Sequence, residues 1–249
     1  MKLQLIRNAT LKIKYAGKEF VIDPFLAPKH TVQSFTGVSP NPTVELPCAP
    51  GEVVDGIEMV IISHLHPDHF DPIAQEMLPN DIQILSQPGD DTILRQIVFL
   101  SITPVETSIE WEGIKISRTN GRHGKGVWAE QMGNVSGFIL EARDEPRVYL
   151  TGDTIYNEDV KQVLRKYNPD VIVANSGGAE FPGSGPIIMD AEQTIALSLD
   201  KPDATIVAVH LESLDHCTVT REGLRNLARK SDIPDERLLI PNDGETLSF

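Results

Sequence analysis

Two cysteines, Cys48 and Cys217, are all that the 249 residues contain. That is too few for a disulfide framework, and a chain of this length buries a sizeable core without one. Positive charge is also scarce: 22 Lys and Arg stand against 36 Asp and Glu, a formal charge of −14 with His neutral. Such a surface repels a phosphate backbone unless a basic groove overrides it. The basic residues are scattered, and their densest cluster, Arg225 to Lys230, fits the solvated face of a helix. Nucleic acid is therefore disfavoured as a partner. Nothing approaches ~18 consecutive apolar residues, so no helix is expected to span a membrane. Lys2, Arg7, Lys12 and Lys14 interrupt the apolar residues of the N-terminus, which leaves no stretch suited to a signal peptide. A cytoplasmic protein is the expectation.

What is present is the balance of a soluble globular chain, 40% hydrophobic and 23% charged. Length alone allows one or two domains at about 150 residues each. No composition break marks a linker, so residues 1–249 read as a single α/β domain. Leu11, Ile13 and Tyr15 alternate with lysines, turn at Ala16-Gly17-Lys18 and return through Phe20-Val21-Ile22, a β-hairpin. Residues 25–54 carry Pro28, Pro40, Pro42, Pro47 and Pro50 and show no periodicity, the pattern of a long loop acting as a lid or binding loop.

Met59-Val60-Ile61-Ile62 reads as a strand covered on both faces. Asp71-Pro72 opens a helix through Leu78. Asp91 to Val98 reads as helix, and Val135 to Ala142 and Arg147 to Leu150 as strands. Val160, Val163, Leu164 and Tyr167 mark an amphipathic helix ended by Asn168-Pro169. Val171 to Ala174 and Ala204 to Val209 follow as strands. Asp190 caps a helix with Gln193 completing a capping-box-like pair, and Thr220 caps another through Arg229. Leu238 to Ile240 and Thr246 to Ser248 close the chain as strands.

The chemistry concentrates in Ser63-His64-Leu65-His66-Pro67-Asp68-His69, which holds three of the seven histidines. Imidazole and carboxylate suit Zn²⁺ and related divalent ions. His64 and His66, two apart in extended backbone, point to one side and can grip one ion. The turn at Pro67 aims Asp68 and His69 elsewhere, toward a second. One segment cannot close a metal site, and partners of the right type stand at strand ends or turns: His123 between glycines, Asp153 after Gly152, and His210 after Val209. Strand ends in an α/β sheet converge at one edge, where sites are built.

This set, His64-x-His66-x-Asp68-His69 followed by His123, Asp153 in Thr-Gly-Asp-Thr and His210, resembles that of the metallo-β-lactamase-fold hydrolases. Within that superfamily the Gly-Arg-His-Gly turn and Met189-Asp190-Ala191-Glu192 are most similar to the L-ascorbate-6-phosphate-lactonase-like branch. The resemblance implies an αββα four-layer sandwich and a dinuclear site. His64, His66 and His123 would hold the first ion, and Asp68, His69 and His210 the second. Asp153 would bridge them. The ions would be Zn²⁺, with Mn²⁺ or Fe also fitting. A hydroxide between them would attack a small ester, lactone or phosphodiester, with Asp68 and Asp153 as the catalytic carboxylates that the resemblance implies.

The resemblance also matches Asp23 to a position that orients ligands by hydrogen bonds. His216, six residues after His210, could ligate metal, touch substrate or be a surface histidine; His210 is favoured as the ligand because it ends a strand, which leaves His216 a pocket candidate. Arg122 and Lys125, flanking His123, are candidates to bind an anionic group of the substrate. The chain departs from the branch at Arg7-Asn8, where many relatives place Gly-His.

Other readings fit less well. RNA nucleases of the superfamily carry a large nucleic-acid-binding region for which neither the length nor the charge leaves room. Thioesterases usually add a C-terminal extension, and few residues follow His210. A flavodiiron protein needs a flavin domain, and non-catalytic members usually lose ligands. The partner expected is a small molecule; the oligomeric state, a homo-oligomer included, is left open by the sequence.

Overall fold

The computed structural model describes residues 1–97 and 99–249. The first half runs β1 (Lys2–Arg7), β2 (Thr10–Tyr15), β3 (Lys18–Ile22), α1 (Pro50–Val54), β4 (Met59–Ile62), α2 (Pro72–Met77), β5 (Gln83–Ser86), α3 (Asp91–Gln96) and β6 (Ile102–Pro104). Next come β7 (Ser108–Trp111), β8 (Ile114–Asn120), α4 (Val127–Met132), β9 (Ser136–Glu141), β10 (Val148–Leu150), α5 (Glu158–Tyr167), β11 (Val171–Asn175), β12 (Glu180–Phe181) and β13 (Gly185–Pro186). The chain closes with α6 (Ala191–Asp200), β14 (Thr205–Val209), α7 (Arg221–Lys230), β15 (Leu238–Leu239) and β16 (Thr246–Ser248).

Two seven-stranded sheets result, in the orders β16-β1-β2-β3-β4-β5-β6 and β15-β14-β11-β10-β9-β8-β7. Each has a parallel part, β3 to β6 and β10-β11-β14-β15, flanked by antiparallel strands. Their apolar strands show why the sheets stack. In β4, Met59 and Ile61 enter the core between the sheets, while Val60 and Ile62 pack outward beside Val53 of α1, Ala74 of α2 and Leu94 of α3. In β11, Val171 and Val173 face inward, and Ile172 and Ala174 meet α5, α6 and α7 through Val160, Ile195 and Leu224. Both faces of these strands are dry, so alternation disappears and continuous apolar runs remain. The product is a four-layer αββα sandwich.

Local signals act as their chemistry dictates. Asp71, Asn157 and Thr220 accept from the backbone N–H three residues on, at Ala74, Val160 and Gly223. Asp190 likewise accepts from the Gln193 N–H at 2.8 Å, but no capping box forms: Gln193 Oε1 accepts from the Tyr156 N–H, 2.7 Å away. The 25–54 segment is not wholly irregular either, because Pro50 at the first helical position and Glu52, which accepts from the Ala49 N–H at 3.1 Å, build the short α1. The helix read over Asp91 to Val98 is α3 through Gln96; Val98 lies outside the described residues.

Candidate metal centre

Every sequence-derived ligand follows a strand end. β4 delivers His64, His66, Asp68 and His69, while β8 leads to His123, β10 to Asp153 and β14 to His210. At Asp153 the chain must turn abruptly. Gly152 has φ +62°, and a Cβ there would stand 2.4 Å from the Ser136 carbonyl oxygen, so only glycine fits the bend.

The side chains form two groups whose donor atoms each lie within 4.8 Å of one another: His64, His66 and His123 in one, Asp68, His69, Asp153 and His210 in the other. All but the half-buried His66 are buried. Asp153 Oδ2 sits between the groups. It is 3.4 Å from His123 Nε2 and 3.9 Å from His64 Nε2 on one side. On the other it is 3.2 Å from His69 Nε2 and 3.8 Å from His210 Nε2.

Four of the five donor imidazoles are contacted from behind. His69 Nδ1 donates to Asp23 Oδ2 at 2.8 Å, and His123 Nδ1 donates to the Ile187 carbonyl at 2.8 Å. Ser63 Oγ donates to Asp23 Oδ2 at 2.7 Å, which leaves its lone pair for His64 Nδ1 at 3.0 Å. His210 Nδ1 lies 3.5 Å from Cys217 Sγ. With Nδ1 occupied, Nε2 is the nitrogen that faces the centre and is left to meet an ion.

That centre fits divalent ions. The Nε2 atoms of His64 and His210 are buried without a hydrogen-bond partner among the described residues, although two carboxylates stand within 4 Å. Buried polar atoms are ordinarily paired. Nitrogens and carboxylate oxygens that converge here, with the 3.2 Å His69 Nε2–Asp153 Oδ2 bond between them, are what a cation would satisfy, and the nitrogen and oxygen donor set suits Zn²⁺, Mn²⁺ or Fe.

Electrostatics follow from the crowding. Burial, reinforced by His69 and His66, drives the His64 pKa well below the usual imidazole value. Burial opposes charge at His69 too, but Asp153, Asp23 and Asp68 outweigh it and raise His69 well above that value. His210 is raised in the same way by Asp153 and Asp68. The carboxyls of Asp68 and Asp153 resist burial because the same imidazoles hold them well below the carboxylate range.

A pocket of about 170 Å³ opens onto this cluster. His66, Asp68, His123 and Asp153 form its polar floor, and Phe35, Phe181, Ile187 and Met132 its apolar walls. His216 lines it as well and belongs to neither donor group. Burial lowers the His216 pKa to about 4, so the imidazole is neutral near pH 7.

Arg122 and Lys125 do not line this pocket. The Arg122 side chain is 59% exposed, 4.0 Å from Asp159, and lines a polar cleft with Arg118, Asn120 and His123, so this cleft adjoins the pocket at the His123 ring. Lys125 is exposed. Both flank His123 in sequence, but the turn that buries its ring directs its neighbours outward.

Several residues of the site went unread. Asn175 Nδ2 donates to Asp153 Oδ1 at 2.6 Å and leaves only Oδ2 toward the imidazoles. Asn8 Nδ2 donates to the Asp68 carbonyl at 3.0 Å, and its own carbonyl accepts from the His210 N–H at 2.9 Å. Asn175 ends β11, so the strand-end argument that selected Asp153 and His210 could have reached it. Phe35 and Phe181 carried no such signal.

The β-lactamase superfamily domain matches residues 18–211 of this chain. The UPF0173 protein YddR of Bacillus subtilis (strain 168) is 34% identical over 255 residues that span all of both chains. Among solved structures, a possible metal-dependent hydrolase from Veillonella parvula DSM 2008 superposes with a TM-score of 0.96 at 33% identity, over 100% of this chain and 99% of that one. The isothiocyanate hydrolase from Delia radicum gut bacteria gives 0.93 at 36% identity over the same shares. The chain belongs to the β-lactamase superfamily and, within it, to the UPF0173 family of metal-dependent hydrolases.

Proposed function

We propose that this protein binds two divalent ions, Zn²⁺ before Mn²⁺ or Fe, and hydrolyses small neutral electrophiles that carry an apolar tail. The observation that carries the reading is a buried seven-residue donor cluster at the floor of a pocket with apolar, uncharged walls. His64, His66 and His123 would hold one ion and Asp68, His69 and His210 the other. Asp153, whose Oδ1 is held by Asn175, would serve both ions. Divalent ions in such a setting acidify water and polarise the substrate's heteroatom. Asp23 and Ser63 keep the imidazoles aimed, and the aromatic walls exclude bulk water from the cleft.

Substrate charge follows from what the walls carry. Among the described residues no Lys or Arg lines the pocket, so a phosphate or phosphodiester would meet no side-chain cation there. Neutral esters and lactones fit better. So do isothiocyanates, the substrates named for the relative at 36% identity; water converts R–N=C=S to the amine R–NH₂ and carbonyl sulfide. The apolar R group would lie between Phe35 and Phe181. An RNA substrate accords poorly with a charge of −14.

The test is a turnover screen of metal-loaded protein on phenethyl isothiocyanate, a neutral phenyl ester, a neutral lactone and bis(p-nitrophenyl) phosphate, alongside elemental analysis. Two ions per chain are expected, with chelator-sensitive turnover of at least one neutral substrate. Asp153→Ala should lower both ions together and His210→Ala mainly one. A single ion after reloading, turnover that survives metal removal, or a phosphodiester as the best substrate overturns the reading.

A further inference from the structure

Five of the seven histidines lie in the two donor groups, and His30 is exposed on the 25–54 segment. His216 remains. It is 7% exposed, lines the pocket beside Asp68, and its Nδ1 is buried with no hydrogen-bond partner among the described residues. A buried polar atom without a partner is unfavourable in the free protein and is relieved when a ligand pairs it.

The ring is held in place from several sides. Phe35 meets it edge-on, with centroids 4.9 Å apart and planes at 85°, and Phe181 lies 5.6 Å away. The Glu180 N–H donates to the His216 carbonyl at 2.9 Å, and Cys217 bridges to Ala179. Phe35 is fixed in turn by the residue before His216. The Asp215 carboxylate accepts from the Phe35 and Thr36 N–H groups, both at 3.1 Å, from Thr36 Oγ1 at 2.7 Å, from Asn41 Nδ2 at 2.9 Å and from Ser34 Oγ. Adjacent residues thus do opposite work: Asp215 faces the loop and pins it, and His216 faces the pocket.

We propose that His216 is the substrate-binding residue outside the metal cluster, its imidazole hydrogen-bonding the heteroatom beside the substrate's electrophilic carbon while Phe35, positioned by Asp215, packs on the apolar tail. The ligand class is a neutral molecule with one aromatic or alkyl tail and one hydrogen-bonding N, O or S. The clamp rests on the pocket being the substrate site, as proposed above, but not on any one reaction.

Binding, rather than turnover, tests it. Trp128 stacks on Phe181 at 5.6 Å with planes 6° apart, so its fluorescence reports on the pocket; Trp111, which meets Phe20 elsewhere, is replaced by Phe. Two probes are titrated into the metal-loaded protein: N-phenethylacetamide, which has tail and heteroatom, and propylbenzene, which has the tail alone. His216→Phe should weaken the amide about tenfold, the scale of one hydrogen bond, and leave propylbenzene and the metal content unchanged. His216→Gln, which keeps a donor, should recover most of the loss and covers the case in which the Phe variant fails to fold. Phe35→Ala and Asp215→Asn should weaken both probes alike. The proposal is overturned if His216→Phe removes an ion, if it leaves amide binding unchanged, or if neither probe binds the parent protein. Should this binding pattern hold while none of the neutral substrates is turned over, the reaction class falls and the clamp stands.

Discussion

Asp153 divides its carboxylate between two partners: Oδ1 accepts from Asn175, and Oδ2 faces four imidazole nitrogens. The same residue helps set the protonation of its neighbours. Burial resists charge at His69 and His210, but Asp153 prevails, helped by Asp23 and Asp68 at His69 and by Cys217 and Asp68 at His210, and raises both well above the usual imidazole value. These imidazoles therefore hold protons at neutral pH in the metal-free protein, and an incoming ion must displace them. Affinity for Zn²⁺ should keep rising from pH 6 to pH 8, where ordinary imidazoles would level off above ~7. Competition titrations of stripped protein against a chromophoric chelator measure this. A plateau above pH 7 would show that His69 and His210 are already neutral.

At the scale of elements, the proline-rich segment between β3 and β4 is stitched down at intervals. Buried Arg7 donates to the carbonyls of Phe25, Ala27 and Val44 at 3.0, 2.8 and 3.2 Å. Thr43 and Asn41 bond to the 212–215 turn, and Val32 pairs with Asn41. None of the seven donor residues lies on this segment, but Phe35 reaches the pocket. Replacing residues 30–46 with a short Gly/Ser linker should leave metal content nearly unchanged. It should cut kcat/KM for an apolar-tailed substrate about tenfold or more, and far less for a small acetate ester. Equal losses on both substrates, in a variant of unchanged circular dichroism, would remove the segment's part in specificity.

Across the whole molecule, the cluster joins the two sheets. Asp23, His64 and His69 belong to the side of β3 and β4, whereas His123, Asp153 and His210 belong to β8, β10 and β14. An ion held by both halves binds the folded state only, so its removal destabilises by mass action. With free metal at about a hundred times Kd this amounts to ~2.7 kcal/mol per ion, or a Tm lowered by roughly 5–10 °C in a chain of this size. Differential scanning fluorimetry before and after chelation, with Zn²⁺ added back, is the measurement. An unchanged Tm would mean that the ions do not tie the sheets. Among the described residues no helix is long and apolar enough to cross a membrane.

Local features could be read from the residues alone. Apolar runs such as Met59–Ile62 and Val171–Ala174 announce strands covered on both faces, because burial needs no partner identity to be legible. The spacing His64-x-His66-x-Asp68-His69 announces donors within one turn. Distant donors were legible too, since strand ends converge and His123, Asp153 and His210 are metal-binding types at or beside such ends. Only the tertiary structure decided the rest. β1 and the hairpin of β7 and β8 escaped notice although Leu3 and Leu5, and Ile114 and Ile116, alternate, because two apolar residues set between polar ones are too brief a pattern to stand out until the strands pair. Phe35 meets His216 across 180 residues of chain, and Arg7 finds three carbonyls of a loop with no periodicity. Arg122 adjoins His123 in sequence yet lines the neighbouring cleft rather than the pocket walled by Phe35 and Phe181. Ligand type is a property of residues, whereas pocket walls belong to the packing of segments that share no local pattern.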